Sequence, residues 1–304
     1  MKLIYTIIVT YNGIKWIEKC ISSVSTESKV IVVDNASIDG TLNLISSNFP
    51  DVVILAQDKN RGFGQANNIG ISYALNHGAR GVFLLNQDAW ISAGTINQLD
   101  LLSQKNKDFG VLSPIHFNGT GSALDHSFQL LSSAELISDL VTRQYRHQIY
   151  EVSFINAAAW YIRRDVLLKI GGFDPIFFMY GEDVNYTQRL KYHGYKVGIT
   201  PLSKIYHSSE NNYYKNEIFG SKKFIAKHIN KFYTTYGNVN IISDLGVFRY
   251  VFYVLRKSLM NFLVFKLGVA RTYFHIWRIL SVQSVIKLKS RGRGKGPQHL
   301  KTFE

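Results

Sequence analysis

Several kinds of residue are scarce in this chain, and each scarcity narrows its class. Among 304 residues there is one cysteine, Cys20, so no intramolecular disulfide can form, which fits a reducing cytosolic compartment. The opening MKLIYTIIVTYN has too short an apolar run for a secretory signal and no small-residue cleavage site; it reads as a buried strand. The far end almost lacks acid. Residues 246–304 carry twelve Lys or Arg against Glu304 alone, which is +11 of the net +14 and leaves +3 for the rest. A near-neutral body with a basic end is not the profile of a protein that grips nucleic acid over its surface. That end also lacks any uncharged run near the ~18 residues that a spanning helix requires. No internal repeat is visible, and no long linker occurs before about residue 210.

What is present is a rhythm. Hydrophobic residues make up 46% of the chain. Short apolar strands at 4–9, 30–33, 52–56 and 82–85 alternate with helical spacing at 14–24, 41–47 and 65–75. This predicts an α/β fold with a mostly parallel sheet covered on both faces. Residues 156–170 read as a strand entering a helix, and 195–207 as a strand and loop. Polar segments follow the strand ends: TYNG, DNASIDGT, DKNRGFGQANN and NQDAW. In open α/β sheets ligands bind beyond the carboxyl ends of the strands, so all four are expected at one crevice.

Each segment has a plain and a functional reading. Thr10, Tyr11 and Asn12 offer hydroxyls, an amide and an aromatic face suited to a nucleobase, while Asn12-Gly13 is also an ordinary turn signal. Asp34 and Asn35 can bond a ribose or a base, while Ser37 or Asp39 can simply cap the next helix. Arg61, Gly62 and Asn67 lie in a glycine-rich loop that opens a helix. Its G-x-G-x-x-N spacing lacks the last glycine of a dinucleotide fingerprint and follows the third strand, which argues against NAD. Backbone N–H groups there still suit phosphate or sugar. Asn86, Gln87 and Asp88 end the fourth strand, and a carboxylate so placed suits Mg²⁺ or Mn²⁺ held together with substrate phosphates.

Residues 171–190, GGFDPIFFMYGEDVNYTQRL, hold adjacent carboxylates, Glu182 and Asp183, after an aromatic run. Aromatic surroundings raise a carboxyl pKa toward a general-base value. Acid in the first turn of a helix is also normal capping chemistry.

Taken in order, TIIVTYN, VVDNAS-x-DGT, N-x-GFG-x-ANN-x-G, LNQD, GGFD-x-x-FFMYGED and a later His207 resemble family 2 glycosyltransferases, with the bacterial rhamnosyltransferase-like branch nearest. The resemblance spans about residues 3–210. It implies the GT-A fold, with a catalytic domain over 1–240 (nucleotide part to about 110, acceptor part from 111). It implies a base and ribose pocket at Thr10, Tyr11, Asn12, Asp34 and Asn35, and a loop beside the nucleotide at Arg61, Gly62 and Asn67. Asn86 and Gln87 belong to the donor site. Asp88 matches the last acid of the D-x-D motif; Asn86 replaces the first, so metal affinity should lean on substrate phosphates and on His207. Asp183 matches the catalytic base of an inverting displacement, Glu182 a residue that orients sugar or acceptor, and Asn156 and Trp160 the acceptor region. The implied substrates are dTDP-rhamnose and a polyprenyl-diphosphate-linked saccharide; UDP-hexose or UDP-N-acetylhexosamine is the alternative donor.

The basic segment 241–304 reads as one amphipathic helix or a helix pair. On a single helix Arg249, Arg256, Lys257, Arg271 and Arg278 share one arc, Lys266 falls off it, and Gly268 is a possible break. The expectation is contact with an anionic membrane surface; packing on the catalytic domain or a second subunit is the competing reading. The protein would then be cytoplasmic and peripheral on the inner face of the cell membrane, and a homo-oligomer is allowed. The last ~15 residues are expected to be disordered. A sugar-nucleotide pyrophosphorylase would need a glycine-rich basic loop after the first strand, which TYNG is not. A non-catalytic nucleotide- or membrane-binding homologue would not need Asp88, Asp183 and His207 together.

Overall fold

The computed structural model describes residues 3–208 and 218–301. In chain order the elements begin β1 (Ile4–Thr10), α1 (Ile17–Val24), β2 (Lys29–Asp34), α2 (Thr41–Asn48), β3 (Val53–Ala56), α3 (Phe63–Asn76), β4 (Gly81–Asn86), β5 (Ala89–Ile91) and α4 (Thr95–Lys105). They continue with β6 (Phe109–Asn118), α5 (His126–Leu131), α6 (Ala134–Thr142), β7 (Tyr150–Val152), β8 (Ala159–Arg163), α7 (Arg164–Ile170), α8 (Glu182–Tyr192) and β9 (Lys196–His207). Four helices follow: α9 (Lys222–Tyr236), α10 (Leu245–Leu263), α11 (Leu267–Ile279) and α12 (Val282–Arg293).

Successive strand side chains point to opposite faces, and the apolar strands use both. Ile7, Val33 and Leu84 join the core that α3 covers with Ala66, Ile71 and Ala74. Ile8, Val32 and Leu85 join the opposite core, covered by Ile17, Cys20 and Ile21 of α1. The strand order is β3-β2-β1-β4-β8-β6-β9-β5, with β7 paired to β9. The β3-β2-β1-β4 half is parallel, as the sequence rhythm predicts. Beyond β4 the sheet is mixed: β8 runs antiparallel to β4 and β6, and β9 runs parallel to β6 but antiparallel to β5. β9 continues as strand to His207 rather than ending in a loop, through a register shift against β6 between Pro114 and Ile115.

Of its two expected forms the basic segment takes the helix pair: α10 and α11 fold back on each other, with Ser258 Oγ donating to the Ala270 carbonyl. The break falls at residues 264–266, where Phe265 has φ 56°, and Gly268 lies inside α11. The end departs from its expectation: it is not disordered as far as residue 301. α12 runs to Arg293, and the chain then returns to the catalytic body. The Gly172 N–H donates to the Gln298 carbonyl, the Lys301 N–H donates to Ser72 Oγ, and Leu300 packs on the main core. One face of the helix pair is core: Val247, Val254 and Ile276 pack with Phe177, Phe232 and Leu288. The other face exposes Phe248, Phe252, Leu259 and Met260.

Candidate active site

The parallel half of the sheet brings the ends of β1, β2 and β4 together. Gln87 ties two of them: its Oε1 accepts from Thr10 Oγ1 (2.7 Å) and from the Tyr11 N–H (3.0 Å). Asn12, in the left-handed region at φ 49°, accepts from the Ile38 N–H and donates its own N–H to Ser37 Oγ. Asp34 is fully buried; one carboxylate oxygen accepts from the Ser37 N–H, and the other, Oδ1, has no partner. A buried acceptor left open is costly, so this oxygen is the polar atom of the strand ends most ready for a ligand. The Tyr11 ring is 47% exposed beside it.

Other residues that the sequence assigns to the nucleotide spend their polar atoms on the scaffold. Asn35 accepts from the Arg61 N–H and donates to the Gly62 carbonyl. Asn67 is 1% exposed and donates to Phe63 one turn back in α3. Arg61 stays on the rim, bonded to Gln57 and Asp58. Gly62, at φ 78°, faces the Phe178 carbonyl so closely that a Cβ would collide with it, and Phe63 N–H donates to the same oxygen. The N-x-GFG loop therefore docks directly on the loop that carries Glu182 and Asp183.

Asp88 and His207 meet because β5 and β9 pair Ala89 with His207. His207 Nε2 lies 3.4 Å from Asp88 Oδ1 and 3.4 Å from Asn86 Nδ2. On the far side of the ring, Nδ1 lies 3.3 Å from Asp125 Oδ2. Burial lowers the His207 pKa, but bonding to Asp125 and Asp88 outweighs it and pushes the value up to about 9. No three His, Cys, Asp or Glu side chains converge as a metal cage among the described residues. Asp88 and His207 nonetheless fit a hard cation that takes its remaining ligands from phosphates: an oxygen and an imidazole nitrogen face one another, and a carboxylate backs the imidazole, the usual support of a metal-bound histidine.

The acid pair opens α8. Tyr180 and Gly181 are both left-handed (φ 66° and 99°), which turns the chain sharply so that Glu182 and Asp183 enter the first turn. The two carboxyls then differ. Glu182 is 4% exposed with Oε2 unpartnered; burial first, and the neighbouring Asp183 second, push its pKa up to about 8. Asp183 is half-buried. Burial raises its pKa, while backbone N–H groups, led by Val184 and then Ala157, oppose the rise. Ala157 is next to Ala158, whose carbonyl accepts from the Asn86 N–H, so Asp183 and the Asn86–Asp88 strand end flank the same short stretch before β8. Asn156 sits there too, its buried Oδ1 without a partner.

Trp160 is a correction. Its ring is fully buried in β8, stacked on Phe173 and tilted against Tyr186, and no face is left for a sugar. It packs the floor of the site, where truncation to alanine costs about 3–5 kcal/mol. Two useful residues carried little signal in the sequence. Asp125 is the N-cap of α5, accepting from the Phe128 N–H. Asp174, the acid of GGFD, is 1% exposed and takes a bidentate pair of bonds from Arg291, 2.8 and 3.0 Å long.

The mixed open sheet with its flanking helices is that of the GT-A fold. The chain belongs to glycosyl transferase family 2, whose family model matches residues 5–171; it is a hexosyltransferase. It is 26% identical over 247 residues to a low-salt glycan biosynthesis hexosyltransferase, Agl10, of Haloferax volcanii, covering 75% of this chain and 79% of the relative. It is also 26% identical over 226 residues to the N-acetylglucosaminyl-diphospho-decaprenol L-rhamnosyltransferase of Mycobacterium tuberculosis, covering 66% of this chain and 74% of that one. The crystal structure of GalNAc-T7 with UDP, GalNAc and Mn²⁺ superposes with a TM-score of 0.63 at 15% identity, over 98% of this chain and 55% of that one.

Proposed function

We propose that this chain is an inverting transferase that moves L-rhamnose from dTDP-rhamnose to a hydroxyl of a polyprenyl-diphosphate-linked saccharide. The observation that carries the reaction is the unequal acid pair at the start of α8, beside the strand-end crevice. Asp183 is the base. Its backbone donors favour the ionised form, and its carboxylate takes the acceptor hydroxyl proton. The acceptor oxygen attacks the anomeric carbon as the bond to the nucleoside diphosphate breaks on the opposite face, and the diphosphate leaves with the bonding pair. Glu182, held neutral at pH 7, is a hydrogen-bond donor for sugar or acceptor. Asp34 Oδ1 and the Tyr11 ring receive base and ribose. Asp88 and His207 would hold Mg²⁺ or Mn²⁺, which supplies charge neutralisation for the leaving diphosphate. The sugar and the acceptor class are supported by the likeness to the mycobacterial rhamnosyltransferase, and the dTDP donor by a 24% identity to the dTDP-rhamnosyl transferase RfbF of Shigella flexneri.

The body to about residue 240 carries this chemistry. The α10–α11 hairpin carries the membrane contact and makes the enzyme peripheral on the inner face of the cell membrane. No helix among the described residues is long and apolar enough to cross a membrane. The hairpin turn instead exposes Phe262, Leu263, Val264, Phe265 and Leu267, and Arg249, Arg256, Lys257, Lys266, Arg271 and Arg278 are all exposed along α10, the turn and α11. Exposed apolar side chains and cations on one hairpin suit an anionic bilayer in both respects.

Asp183→Asn should lower kcat by about 10²–10⁴-fold while dTDP binding, measured calorimetrically, is kept; transfer at the wild-type rate would sink the assignment of the base. A panel of dTDP- and UDP-sugars in the same assay separates rhamnose from UDP-hexose and UDP-N-acetylhexosamine donors.

A further inference from the structure

We propose that Asp125 is a positioning residue for His207, fixing the imidazole so that Nε2 faces Asp88 and the donor diphosphate. The inference rests on the proposed reading of Asp88 and His207 as the cation-facing pair. It adds a carboxylate more than eighty residues upstream of the histidine, in a segment with no recognisable site motif.

The geometry is specific. Asp125 is 2% exposed and is held at three points. Its N–H donates to the His116 carbonyl (2.9 Å), Oδ1 accepts from the Phe128 N–H (3.0 Å), and Oδ2 faces His207 Nδ1 at 3.3 Å. Phe117 and Leu124 form a bridge that pins the intervening turn to the end of β6. β6 in turn pairs Asn118 with His207. The carboxylate and the ring are thus fixed to one another through the backbone of the sheet. His207 Nδ1 is buried, and among the described residues no hydrogen bond of good geometry takes it, so Asp125 Oδ2 is the acceptor within reach. With the Nδ1 proton held on that side, Nε2 is the ring atom that faces Asp88. Carboxylates behind ligating histidines have this effect in metal sites, and their loss costs about 10–100-fold in metal affinity.

Two oxygens with two different donors make a clean test. Serine is as good an N-cap as aspartate but is too short to reach His207, so Asp125→Ser keeps the start of α5 and vacates the ring. Asparagine has one acceptor oxygen for two donors and must leave either Phe128 or His207 unserved. The probe is Mn²⁺ alone, titrated into the full chain and followed by electron paramagnetic resonance. The expected result is Mn²⁺ binding weakened about 10–100-fold in Asp125→Ser, a similar or smaller loss in Asp125→Asn, and an unfolding midpoint near wild type for Asp125→Ser. A second readout needs no metal: the imidazole Nδ1–H resonance of His207, protected from exchange in the wild type, should be lost to water exchange in Asp125→Ser. Mn²⁺ affinity unchanged in Asp125→Ser, with Asp88→Asn and His207→Ala both weakened, overturns the positioning role and leaves the cation pair standing. Affinity unchanged in all three overturns the pair and this inference together.

Discussion

Glu182 and Asp183 are adjacent in the chain and carry the same functional group, and burial raises the pKa of both, yet only Asp183 has backbone donors from beyond its own residue to oppose the rise. Glu182 is packed against Gly64 of α3, where a Cβ would crowd Phe173. Asp183 receives backbone donors instead. The consequence for Glu182 can be measured in stability. Its pKa rises from 4.5 to about 8 on folding, so between those values the unfolded chain has released a proton that the folded chain keeps. Stability therefore falls as pH rises through this window and levels off above it. Glu182→Gln removes that slope, so its melting temperature relative to wild type should climb between pH 5 and pH 8; a constant difference across the window would show that Glu182 is not held neutral. The aromatic run and the glycine made this pair legible in the sequence. Asp125 was not legible, because its role depends on a partner in a distant strand that no local pattern announces.

At the scale of elements, the strands and the first helices were readable because buried parallel strands are short and continuously apolar, and the helices between them are amphipathic. The break between α10 and α11 was not. Gly268, the obvious breaker, stays helical, and the turn is made by Val264, Phe265 and Lys266. Phe265 adopts a left-handed conformation that costs a non-glycine residue about 1–2 kcal/mol and holds its ring 88% exposed. In the proposed function this exposed ring is part of the membrane contact. Replacing Phe262 and Phe265 together with aspartate should abolish co-sedimentation with phosphatidylglycerol vesicles and leave the unfolding midpoint near wild type, since both side chains are exposed. Undiminished co-sedimentation would show that the hairpin turn is not the anchor. This test is cleaner than deleting the helices, whose inner face packs on Phe177 and Phe232.

At the scale of the whole molecule, the basic end is a strap as well as an appendage. Its last ~15 residues are expected from composition to be disordered, but Arg291 and His299 are spent on Asp174, and Lys289 just before them on Asp244. Composition does not distinguish a cation that faces water from one that faces a buried carboxylate, and for that reason the strap was read as disordered. Arg291→Ala leaves the buried Asp174 short of its bidentate partner and should cost about 1–3 kcal/mol in denaturant unfolding. Transfer should fall with it, because Asp174 anchors the loop that leads to Asp183. An unchanged midpoint would mean that the strap bears on nothing.

The same strap gives the protein an order of assembly. The β3-β2-β1-β4 half is built from neighbours in sequence and can form early in synthesis, whereas Asp174 meets Arg291 across 117 positions, a closure that non-local contacts make slow. On a nascent chain the strand ends of that half can therefore be in place while the loop before α8 still lacks its partner in α12.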